Sequence, residues 1–204
     1  DNVDVPISSY KENFKGTISF IKVDTAGTMN IAFQLVTPGF NYDLARAGKG
    51  PSHGWFFFSC YNTEQAYTLL EVNASQKDKD FIMAVNWKKA EEYIKAGKGV
   101  KTKAKYAHNV LSEETHMATS TIMEEVLQLD PMQLKDIIYF IPCPKSPHGC
   151  DVDPTGEYIV GSGKLAALIP VFSFSKFQKA IEAKEFEGDF AGIPVIKYEA
   201  ALHG

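Results

Sequence analysis

Short runs of β-forming residues, each closed by turn residues, recur along the whole chain and leave little room for another fold class. "GTISFIKVD", "MNIAFQLVT", "GWFFFSCYN", "DFIMAVNW", "IIYFIPC", "GEYIVGSG", "ALIPVFSF" and "IPVIKYEA" are rich in Ile, Val, Phe and Tyr, and Gly, Pro, Asp and Asn separate them. Branched and aromatic side chains fit a pleated, half-buried surface, whereas the separators bend the chain. The expectation is an all-β architecture. With 45% hydrophobic and 12% aromatic residues among 204, there is ample apolar surface for a packed core.

The charges argue against some partners. There are 25 acidic and 21 basic residues, scattered without long runs, so no basic stripe suits nucleic acid and no polybasic block suits lipid. No apolar stretch reaches the length of a membrane span, and "DNVDVPISSY" has neither the basic nor the apolar region of an export signal. The chain starts on a strand-like "VDVPI" and stops at "AALHG", which reads as a segment cut at both ends.

An internal repeat refines the fold class. "IMAVNWKKAEEYIKAGKG" and "IPVFSFSKFQKAIEAKEFEG" align 87 residues apart, each a strand, a polar turn and a short amphipathic helix ending near Gly. That spacing is close to twice the ~40–45 residues of a four-stranded propeller blade. A Gly-aromatic strand start, "GWFFFS" or "GEYIVG", precedes each copy. The pattern predicts a β-propeller, in which short strands repeat radially and only protected edges remain. One segment departs from it: in 112–138, Thr121 and Glu124 have capping-box spacing and Asp130-Pro131 reads as a helix start. Two short helices inserted in a loop are expected there.

Candidate chemistry centres on histidines and acids. His148, between Pro147 and Gly149, and His203, followed by Gly204, each sit in a connection beside a strand, 55 residues apart. One ligand donated per blade would converge on a propeller's hub, and imidazole suits copper, zinc, iron or nickel. His53, His108 and His116 read as solvated or hydrogen-bonded rings. Cys143 and Cys150 bracket His148, but a structural zinc wants four ligands and this stretch offers three, so buried thiols are the better reading. Tyr61, Glu64, Asp78 and Asp80 gather hard oxygen donors on loops, the kind of set calcium takes.

The stretch "YFIPCPKSPHGCDVDPTGEYIVGSGKLAALIPVFSFSKFQKAI", with "AFQLV", "SCYNTEQA" and "IPVIKYEAALHG" in the same order, resembles the propeller domain of bacterial nitrous oxide reductases. The likeness covers essentially the whole chain and is strongest in 139–204. It implies a periplasmic, homodimeric copper oxidoreductase of denitrification that reduces nitrous oxide to dinitrogen and water. The family's seven-bladed propeller holds a tetranuclear copper-sulfide cluster on histidines, and a cupredoxin domain carries a binuclear copper site fed by a cytochrome or cupredoxin donor. By this resemblance His148 and His203 are copper-cluster ligands. Tyr61, Glu64, Asp80 and the carbonyl near Val72 fall where the family binds calcium, and Ser146 stands where many relatives carry Asn. Residues 1–204 then form about three blades, with the other blades and the cupredoxin domain absent and no activity expected of the segment alone. The alternative is a non-catalytic propeller module that binds protein on one face.

Overall fold

The computed structural model describes residues 3–4, 15–61, 63, 79–108 and 120–204. The strands are β1 (Val3–Asp4), β2 (Lys15–Val23), β3 (Met29–Pro38), β4 (Asn41–Ala47), β5 (Trp55–Tyr61), β6 (Lys79–Asn86), β7 (Val100–His108) and β8 (Ser120–Leu129) in the first part of the chain. They continue as β9 (Ile138–Pro144), β10 (Cys150–Val152), β11 (Tyr158–Gly161), β12 (Val171–Ser173), β13 (Phe186–Phe190) and β14 (Ile193–Ile196). Among the described residues three short α-helices accompany them: α1 (Trp87–Lys95), α2 (Phe174–Glu182) and α3 (Tyr198–Ala201). None is long and apolar enough to cross a membrane. The protein is predominantly β, as its composition implies.

The strands form three open sheets: five-stranded β1-β2-β3-β8-β7, six-stranded β13-β14-β9-β6-β5-β4, and three-stranded β10-β11-β12. The six-stranded sheet is the middle layer, and the alternation of its side chains explains why. Trp55 and Phe57 on β5, Ile82 and Ala84 on β6, and Tyr139, Ile141 and Cys143 on β9 join one core with β10–β12 and α2. Their neighbours Cys60, Met83, Val85, Ile138 and Phe140 join a second core with Phe33 and Leu35 of β3. A strand apolar at successive positions has to be covered on both faces, and all seven residues of β9 are buried. Aromatic edges lock each side: Trp55 meets Phe177 at 5.3 Å between ring centroids, and Phe40 meets Phe190 at 4.8 Å.

The repeat forms two strand-helix units, but no turn intervenes. Asn86, the last residue of β6, accepts a hydrogen bond from the Lys89 backbone N–H at 3.0 Å, and Ser173, the last of β12, accepts one from Lys176 at 3.1 Å. Each strand therefore ends on the residue that caps its helix. Glu157 reinforces the second start, accepting from the Ser175 N–H at 3.1 Å and the Ser173 hydroxyl at 2.6 Å.

The helical insertion expected at 112–138 is corrected. Residues 112–119 lie outside the described residues, while Ser120–Leu129 is strand β8, paired antiparallel with all nine residues of β7. That long ladder outweighs the local capping-box spacing of Thr121 and Glu124. The second expected start, Asp130-Pro131, makes only a turn: the Asp130 carbonyl accepts from Gln133 and Leu134 at 3.0 and 2.9 Å. The turn stops where Asp136 takes a positive φ of 65°.

Two loops interlock backbone against backbone on the flank of the middle sheet. Gly156 has φ of 80°, and a Cβ there would lie 1.8 Å from the Lys49 carbonyl oxygen. Gly27 has a similar φ of 85° with nothing within 4 Å. Gly156→Ala is expected to destabilise the fold by more than the ~1–2 kcal/mol of left-handed strain alone, and Gly27→Ala by about that strain only. Urea unfolding of the pair checks this, and equal losses would contradict it. The same turn is acid-sensitive, because the Tyr158 backbone N–H, then Thr155, hold the Asp153 carboxyl down at about 2. A depressed carboxyl stabilises fully above its ordinary value near 3.8 and loses that contribution as pH falls through about 2. Asp153→Asn should flatten this part of the acid unfolding curve.

Candidate functional site

The loop between β9 and β10 carries His148, and its shape comes from bonds on three sides. Ser146 lies in the left-handed region with φ of 56°, a conformation that costs a serine of order 1–3 kcal/mol and persists where its surroundings dictate it. Its N–H donates to Asp80 Oδ2 at 2.8 Å, and its carbonyl accepts from the Lys164 N–H at 2.9 Å. Gly149 closes the loop, donating its N–H to Ser162 Oγ at 2.9 Å and accepting from the Ser162 N–H at 3.0 Å. The reversal of the chain is thus made at Ser146. Gly149 matters for closeness instead: a Cβ there would stand 3.2 Å from Leu44 Cδ1.

His148 projects from this loop with 70% of its side chain exposed, and its Nδ1 is hydrogen-bonded to Asp43 Oδ2 on β4. A carboxylate only accepts, so the proton of the neutral ring sits on Nδ1, and Nε2 keeps a free lone pair. The ring borders an open groove of about 690 Å³ whose wall includes Ser162, Lys164, Ala166, Leu168 and Ile169. Leu168 and Ile169 are 53% and 68% exposed, so this wall is apolar and uncovered.

His203 stands elsewhere. Its N–H donates to the Val171 carbonyl at 2.8 Å, its neighbour Leu202 bridges Phe172, and its ring lies 4.7 Å from that of Tyr158. It flanks β12, on one edge of the three-stranded sheet, while His148 precedes β10 on the other edge. Two strand spacings separate those edges, roughly 10 Å. Among the described residues no three His, Cys, Asp or Glu side chains gather as a metal site. His53 is exposed and meets Trp87 edge-on at 5.6 Å, and His108 ends β7. His116, Asp78, Glu64 and Val72 lie outside the described residues.

Of the described members of the expected calcium set, Asp80 and Ser146 are in contact, and Tyr61 lies on the strand next to that of Asp80. Tyr61 ends β5, Asp80 begins β6 beside it, and Ser146 follows β9, the next strand of the same sheet. Asp80 is 4% exposed. Its Oδ1 accepts from the Thr63 N–H at 3.1 Å and the Thr63 hydroxyl at 2.8 Å, and its Oδ2 accepts from Ser146. Thr63 and Asp43 were not legible beforehand. Thr63 sits inside the quoted "CYNTE" with an unremarkable side chain, and Asp43 lies 105 residues from the ring it holds.

The three cysteines are free and buried. Cys150 donates its thiol to the Phe57 carbonyl at 3.2 Å, and burial pushes it up to about 12. Burial raises Cys60 and Cys143 as well. The thiolate is the ligand and nucleophile, so these groups are inert core thiols. A thiol reagent at pH 8 should leave the folded chain unlabelled and find three thiols in urea. Rapid labelling of Cys150 in the folded chain would contradict its burial.

No protein-family model matches the chain. It is 25% identical over 164 residues to the nitrous-oxide reductase of Pseudomonas fluorescens, a match covering 79% of this chain and 22% of that protein. It is also 25% identical over 161 residues to the nitrous-oxide reductase of Stutzerimonas stutzeri, covering 78% and 22%. The chain spans about a fifth of the length of these curated relatives. Its relationship to nitrous-oxide reductase is distant and partial.

Proposed function

We propose that this chain is a propeller segment of a periplasmic copper protein related to nitrous-oxide reductase, and that His148 supplies one of the imidazoles that hold its copper. The observation that carries the reading is the His148 ring, pinned through Nδ1 to Asp43 at the border of an open groove. Imidazole is a good copper donor, and a carboxylate on the far nitrogen fixes the tautomer and strengthens the donor. The matches to two nitrous-oxide reductases over about four fifths of the chain supply the choice of metal. The propeller reading is supported by β4-β5-β6, an antiparallel meander that β9 joins antiparallel after the intervening α1, β7 and β8, giving four neighbouring strands such as a blade uses.

A copper cluster would supply electrons to nitrous oxide, a weak ligand, for its reduction to dinitrogen and water. The residues of this chain do the positioning. Asp43 aims the ring, the Ser146 and Gly149 bonds hold its backbone, and Ala166, Leu168 and Ile169 offer an apolar wall suited to a small, nearly apolar substrate. His203 contributes a second imidazole, and the remaining ligands and the electron-entry domain belong to the rest of the longer protein, which pairs with a second copy of itself. Electrons reach it from a cytochrome or cupredoxin.

In the full-length protein that contains this segment, His148→Ala should lower copper content and abolish nitrous oxide turnover. Folding should change by no more than about 0.5 kcal/mol, because the ring is exposed. Metal analysis beside a thermal melt checks both. Full copper and activity with an earlier melt would make His148 a structural turn residue, and a wild-type protein without copper would favour a non-catalytic binding module.

A further inference from the structure

We propose that Asp80 is a positioning residue that fixes the His148 loop through protein donors alone, with Thr63 and Ser146 occupying the places a calcium ion would need. A carboxylate offers about four lone-pair directions. Three of Asp80's are taken, by the Thr63 N–H, the Thr63 hydroxyl and the Ser146 N–H. Calcium is held by six to eight oxygens whose lone pairs face the ion. Here Ser146 turns its N–H toward Asp80, and its carbonyl is engaged by Lys164. A backbone N–H answers the negative charge of a carboxylate where a relative would use a cation. Asp80 and Ser146 of the expected calcium set are therefore satisfied internally.

The consequence reaches the groove. Asp80 lies at the start of β6 and is 4% exposed, so it is a fixed point of the middle sheet. From it one line of bonds runs through Ser146 to Lys164, and the adjoining Lys145 carbonyl accepts from the Leu165 N–H at 3.3 Å. That line ties the histidine loop to the groove wall. His148 is two residues beyond Ser146, so the direction of its ring is set by a carboxylate it does not touch. The left-handed φ of 56° at Ser146 is the local mark of this tie, since its N–H and its carbonyl are both claimed. The significance of the tie for copper rests on the reading of His148 given above, but the tie itself is tested without copper.

The test is hydrogen exchange at the Ser146 and Lys164 amides of the metal-free 204-residue chain, with calcium and with a calcium chelator. Protection is expected to be the same in both conditions. Asp80→Asn places an NH₂ or a weaker acceptor against Ser146, and Thr63→Val removes the hydroxyl while keeping the N–H. Each should speed exchange at Ser146 and Lys164 at least tenfold, with Phe140 in the middle sheet unchanged. Thr63→Ser, which restores the hydroxyl, should restore protection. If Asp80→Asn does not fold, the Thr63 pair carries the test. Protection that appears only with calcium, or that survives Thr63→Val, overturns the proposal. Failure of the copper reading would leave these exchange rates untouched, so the two are separable.

Discussion

Everything in this fold depends on a sheet that is apolar on both faces. Successive residues of β5, β6 and β9 point into two different cores, with Phe57, Ile82 and Ile141 on one side and Cys60, Met83 and Phe140 on the other. Such strands are unstable in water until each face is covered, and that requirement recruits the β3-containing sheet on one side and β10–β12 with α2 on the other. Truncating a fully buried phenylalanine such as Phe57 or Phe140 would cost about 3–5 kcal/mol. The rigidity of these strands is what allows loops at their ends to hold demanding shapes.

The histidine loop draws on that rigidity directly. It leaves the wholly buried β9, donates a hydrogen bond to Asp80 on β6, and presents its ring to Asp43 on β4, so three strands of one sheet determine one side chain. A serine with positive φ inside it is then a result of these constraints and not a flaw. An exposed imidazole on a fixed backbone loses little freedom when it binds, which is the property a metal donor benefits from. His203, held against Val171 and Tyr158 on the opposite sheet edge, is fixed by a separate set of contacts.

The sequence disclosed most where apolar residues were continuous. "DFIMAVNW" and "IIYFIPC" form the two central strands because burial on both faces leaves the runs Phe81 to Val85 and Ile137 to Ile141 without a charged position to blur them. β4, β7 and β13 went unread because their exposed faces are polar: Lys101 on β7 pairs with Glu125 across the strand gap, and β13 carries Glu187 and Asp189 in solvent. The β8 segment carries helix-like capping signals because such signals are local, whereas its pairing partner lies outside the window that a spacing rule covers. The same asymmetry governs the site. Pro147-His148-Gly149 marked the loop, but Asp43 and Thr63 act through space and gave no local sign.

The claim on which the account turns is that His148 is held through Nδ1 and offers Nε2. Long-range proton-nitrogen correlation spectra of the imidazole rings in the metal-free chain at neutral pH test it most directly. The account predicts a His148 ring whose Nδ1 carries the proton and whose Nε2 shows the shift of an unprotonated nitrogen, with Asp43→Asn returning it to the averaged pattern of a free histidine. A His148 ring that is already averaged in the wild-type chain, or protonated on Nε2, would contradict it.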